Sequence, residues 1–304
     1  MLLDRIRRGS ADALTLFLLP AFVSLLPWRW GFAILKRVSR SERLYREAVE
    51  PAWAAAQPHC PDSDATQWKS RFRLLRLVDH ADVYLTLLRG KRWRRRYVVQ
   101  IGQLPKSATC VLLTYHWGAG NWIWPVLRNH GIAAHFLARR AQGRALGLTR
   151  ASHWFGRFRG WALRRIGSAG ALFTGGSSAA ARDALGAGRS IVGMLDLPVH
   201  PQQRFARLAL FDGEVRFPLG LADLGLEAGV PLVLFSVALD FDTGARTLRL
   251  EALPADSSLE AVMRNYAQHL DARLREAPEA WHMWREATAM FVTPVSGSQS
   301  QGIQ

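Results

Sequence analysis

Residues 109–128, TCVLLTYHWGAGNWIWPVLR, constrain the fold more than any other part of the chain. Val111, Leu112 and Leu113 make a short continuous apolar run, which predicts a strand buried on both faces. His116 follows directly. Gly118 and Gly120 then loosen the backbone, and Trp122, Ile123, Trp124 and Leu127 start a helix with Pro125 in its first turn. A chain built this way sets a histidine and orientable backbone N–H groups at a strand-to-helix junction, the place where α/β proteins commonly hold ligands.

Similar punctuation recurs downstream. Residues 132–137 predict a second parallel strand, and 190–195 a third that ends at Asp196. Asp196 there has two readings, a functional carboxylate or a strand-end cap. Residues 204–220 predict a hairpin or irregular loop, and 230–239 a buried strand that turns at Asp242-Thr243-Gly244 into 247–250, the two running antiparallel at the sheet edge. Helices are predicted near 66–88, 177–185, 221–229 and 259–276. The fold class is therefore α/β: a mixed, mainly parallel central sheet flanked by helices. The chain divides into an N-terminal helical region (1–40), an α/β domain (41–293) and a Ser/Gln-rich tail (294–304) with little reason to fold.

The N-terminal region needs its own reading. The apolar run 13–26 is broken by Thr15, Pro20 and Ser24 and is short of the roughly 20 residues of a bilayer crossing. Trp28, Arg29 and Trp30, with Lys36 and Arg37 behind them, suit a segment lying at a membrane interface; a pair of buried helices at the edge of the domain is the alternative. Lys91–Arg96, KRWRRR, is the densest basic run. It reads either as a solvated turn before a strand at 97–101 or as a dock for anionic lipid or a carrier protein.

Charge narrows the partners. Lys and Arg total 40 against 24 Asp and Glu, a formal net charge of +16, which favours an anionic lipid surface, an acidic carrier protein, a polyphosphate or nucleic acid. Aromatic and basic residues mix at 154–165, but no nucleic-acid-binding motif accompanies them, so nucleic acid is not expected. Two cysteines, Cys60 and Cys110, exclude a disulfide framework and fit a reducing compartment. No metal or other cofactor is expected.

In their order, the H-W-G turn at 116–118, GMLD at 193–196, FDGEVRFPLG at 211–220, AGVPLV at 228–233 and PEAWHMW at 278–284 resemble the late acyltransferases of lipid A biosynthesis, within the lysophospholipid acyltransferase-like group. The resemblance implies a membrane-associated acyltransferase at the cytoplasmic face of a bacterial inner membrane. Such an enzyme moves a fatty acyl group from acyl carrier protein or acyl-CoA to a hydroxyl or amine of a lipid or amphiphilic acceptor. It implies His116 as the base, with an acid five positions on, where this chain has Asn121. Asn121 could orient the histidine through its amide oxygen but brings no charge; Asp196 is the other carboxylate that folding could supply. Backbone N–H groups around Gly118 and Gly120, assisted by Arg139 or Arg140, are the candidates for holding substrate and a tetrahedral oxyanion. The alternatives are a noncatalytic lipid- or carrier-binding protein and a thioesterase, in which water replaces the acceptor.

Overall fold

The computed structural model describes residues 9–106, 109–138, 149–173, 178–200 and 202–292. Arg139, Arg140 and the tail from 294 lie outside them. Seven strands form the main sheet: β1 (Val98–Ile101), β2 (Val111–Thr114), β3 (Ala134–Ala138), β4 (Ser168–Phe173), β5 (Ser190–Met194), β8 (Leu232–Leu239) and β9 (Arg246–Ala252), in the order β1-β9-β8-β2-β5-β3-β4. From β8 to β4 every neighbouring pair is parallel; β9 runs antiparallel to β8 and parallel to β1. A smaller antiparallel sheet joins β6 (Phe205–Leu210), β7 (Gly213–Pro218) and β10 (Phe291–Val292). The mixed, mainly parallel sheet flanked by helices is thus present. β2 lies at its centre with all four residues buried, as expected for a strand whose run of apolar side chains has no polar face.

The N-terminal helical region is also present, built of short pieces. A five-residue π-helix, Leu14–Leu18, leads into Leu19–Leu25; a break at Leu26-Pro27 separates these from Trp28–Ser39. Val23, Trp28, Phe32 and Leu35 pack into the core, while Leu14, Leu18, Phe22 and Leu25 are exposed. Pro27 ends the continuity that a span would need. Among the described residues no helix is long and apolar enough to cross a membrane. This finding corrects the assignment to the lipid A late acyltransferases, the membrane-associated acyltransferase activity in lipid biosynthesis drawn from it, and the placement at a bacterial inner membrane.

Two further expectations change. The KRWRRR segment is a helix, Lys91–Tyr97, and not a turn. Trp93 turns inward from it and stacks on Trp122 with ring centroids 5.2 Å apart, so it has no need of a lipid interface to bury its ring. The strand β4 falls in a stretch for which no element was expected.

Helix Ala65–Leu88 carries a fully buried Asp82, which pairs with the fully buried Arg246 of β9. The guanidinium also sits 4.5 Å from the Trp28 ring and within 6 Å of Trp93 and Trp122. Burial pushes Asp82 up and Arg246 down toward their neutral forms, and each opposes that push on the other. The pair thereby ties the N-terminal helices, the KRWRRR helix and the sheet together.

Candidate active site

β2 and β5 are parallel neighbours, with Thr114 opposite Met194. Two residues beyond that register pair, His116 and Asp196 leave the carboxyl ends of the strands side by side. His116 Nδ1 lies 2.9 Å from Asp196 Oδ1, and the His116 backbone N–H donates to Asp196 Oδ2 at 2.8 Å. A third donor, Trp281 Nε1, reaches the same Oδ2 at 2.8 Å. Asp196 is fully buried, and these bonds hold its carboxylate where no water reaches it. An ionised carboxylate only accepts, so Nδ1 carries the proton and Nε2 is left with its lone pair.

Tyr266 clamps the two strand ends: its hydroxyl donates to Thr114 O at 2.8 Å and accepts from the Leu195 N–H at 3.1 Å. The segment 277–284 closes over the histidine loop. The His282 N–H donates to His116 O at 2.7 Å, Trp117 Nε1 donates to Ala277 O at 3.0 Å, and the Gly118 N–H donates to Ala280 O at 3.0 Å. His116 is therefore fixed at its backbone, its ring and both neighbouring strands.

Burial alone would lower the His116 pKa; the Asp196 charge and hydrogen bond outweigh it, and the pKa stands above the ordinary histidine value. His282 is different. Burial takes it down to about 4, so it is neutral at pH 7, and its Nε2–H donates to Gly118 O at 3.1 Å. Asp79 lies in the same wall, and Arg159 spans both its oxygens at 2.8 and 3.1 Å. Burial would raise Asp79, but Arg159 prevails and keeps it below the usual carboxylate range.

His116, His282, Asp79 and Arg159 border a pocket of ≈ 430 Å³ whose remaining wall is mostly apolar, including Ile123, Trp124, Phe136, Leu163, Val192 and Phe235. The combination of an apolar cleft, a few convergent polar groups and a histidine with a shifted pKa, at the carboxyl edge of a parallel sheet, is what a ligand site requires. Among the described residues no cluster of His, Cys, Asp or Glu could hold a metal ion.

The other residues singled out from sequence fall as follows. Asn121 also lines the pocket, but its Oδ1 accepts from Arg159 Nη2 at 3.3 Å, while Asp196 orients His116. Gly118 and Gly120 border it too. The Gly118 and Ala119 N–H groups donate to Ala280 O and Val237 O, so they serve the loop and not a ligand. Gly118 is required for a steric reason: its φ is +75°, and a Cβ there would lie 1.9 Å from Val237 O. Gly118→Ala is expected to lower stability by about 1–3 kcal/mol and to displace His116, read as a lowered urea midpoint. Asp79, Arg159, Trp281 and His282 were not singled out. Trp281 and His282 stood within the PEAWHMW stretch at 278–284, which was the signal for them; Asp79 shares its helix face with Arg76 and Asp82, and nothing in the residue pattern sets it apart.

Comparison with protein-family models and with curated protein sequences finds no match.

Proposed function

We propose that the protein is a thioesterase: it binds an acyl thioester with the acyl chain in the apolar pocket, and His116 activates water to hydrolyse it. The observation that carries this reading is the His116–Asp196 pair, whose histidine lines an apolar cleft. His116 Nε2 takes a proton from water as the water oxygen adds to the thioester carbonyl. Asp196 stabilises the imidazolium that forms. Collapse of the tetrahedral state breaks the C–S bond, the imidazolium returns the proton to the departing thiolate, and the products are a carboxylic acid and a thiol. The thioester's carrier in this reading is anionic, acyl carrier protein or coenzyme A, in keeping with the net charge of +16.

A simple probe is the dodecanoyl thioester of N-acetylcysteamine, followed by thiol release. His116→Ala is expected to lose about 10²-fold in kcat while remaining folded, with a denaturation midpoint lowered by the loss of the Asp196 partner. Unchanged turnover in the folded variant would defeat the role of His116. Addition of a small alcohol reports acyl transfer to a hydroxyl in the same assay, as ester formed in place of free acid. A second reading, an acyl-binding protein without chemistry, is favoured by the engagement of the Gly118 and Ala119 N–H groups within the fold. Tight binding of the thioester with no thiol released would establish it.

A further inference from the structure

Asn121 is 3 % exposed and borders the pocket. Its Oδ1 accepts from Arg159, and Arg159 is held in turn by both oxygens of Asp79. A guanidinium has only donors, so turning the amide over would set Nδ2 against Nη2, donor to donor. The amide is thereby oriented. Its Nδ2 is buried and meets no acceptor among the described residues. Proteins rarely leave such a group unpaired, because its lost hydration is not recovered. The neighbouring wall is apolar at Ile123, Trp124 and Leu163, and offers it nothing.

We infer that the missing acceptor is the carbonyl oxygen of the bound acyl group, and that Asn121 Nδ2 is its hydrogen-bond donor. This rests on the acyl-pocket reading above. Asn121 is then a catalytic residue of a kind that the Gly118 and Ala119 N–H groups cannot provide, since those two are already engaged. As water adds, the carbonyl oxygen becomes an oxyanion, and a donor already in place stabilises it without reorganisation. Arg159 is the positioning residue: it acts through the Asn121 amide, and Asp79 keeps it from swinging into the pocket.

Two non-hydrolysable ligands separate this inference from the reading beneath it. They are the 2-oxotridecyl and tridecyl thioethers of N-acetylcysteamine, identical except for the carbonyl. Wild type should bind the ketone about tenfold more tightly than the plain thioether. Asn121→Leu and Asn121→Ala should lose that preference while keeping thioether affinity within about twofold. Arg159→Lys, which keeps the charge but loses the planar fork, should weaken the preference and leave thioether binding unchanged. If wild type binds both ligands equally, or if folded Asn121→Leu keeps the preference, the inference fails and acyl binding stands. If wild type binds neither, the acyl pocket itself is refuted, and the role of Asn121 with it.

Discussion

Asp196→Asn is expected to lower thioester hydrolysis by about 10³–10⁴-fold in kcat, with a smaller change in KM. Asparagine keeps the side-chain shape but has one acceptor oxygen where the carboxylate has two. Asp196 Oδ2 receives the His116 N–H and Trp281 Nε1, and Oδ1 faces His116 Nδ1, so an amide Nδ2 placed at either position opposes a donor. The imidazole then loses the partner that sets its tautomer, and the imidazolium loses its counter-charge. The pH profile gives a second readout. The base works as neutral imidazole, so wild-type turnover rises with pH through the raised His116 pKa, with a midpoint above 6.5. Without the carboxylate that midpoint should move down, because burial, which lowers the pKa, is no longer opposed. The same coupling has a stability consequence. A histidine whose folded pKa exceeds its unfolded value stabilises the fold fully below the unfolded pKa, and that contribution disappears as pH rises through the folded one.

The second large effect concerns stability. Arg246→Ala should cost about 3–5 kcal/mol, read from urea denaturation, because it leaves the Asp82 carboxylate fully buried without a counter-charge. It also removes the cation from among Trp28, Trp93 and Trp122. The double variant Asp82→Leu/Arg246→Met should recover most of that loss, since replacing both members of a buried pair removes the desolvation penalty along with the attraction. A double variant as unstable as Arg246→Ala would instead mean that the aromatic contacts, and not the ion pair, carry the stability.

Both effects depend on contacts that pattern reading does not reach. The buried strands β2, β5 and β8 were legible because their apolar runs are continuous, and the ends at His116 and Asp196 were marked by the polarity change. Their adjacency was not legible. Periodicity says which residues are buried but not which strand lies beside which, and the 114–194 register brings together residues 80 positions apart. The resemblance offered Asn121 as the partner of His116, with Asp196 as the alternative carboxylate; the strand order sets Asp196 beside the histidine. The edge strand β4 was missed because its alternating burial and small residues, Ser168-Ala169-Gly170-Ala171, make a weak strand signal. The KRWRRR run is a helix where a solvated turn was one of the two readings, because Trp93 packs inward on Trp122, a contact that the run's own pattern does not show. Asp79 and Arg159 join through tertiary packing of two helices, which neither helix's own pattern reveals.

The most direct test of the central claim is the pH dependence of kcat/KM for the dodecanoyl thioester, with products identified by mass spectrometry. The predicted result is dodecanoic acid and thiol in equal amounts, formed at a rate that rises along a single limb with its midpoint above pH 6.5 and that His116→Ala abolishes. A rate no greater than the uncatalysed background, or a pH profile unchanged by His116→Ala, would contradict it.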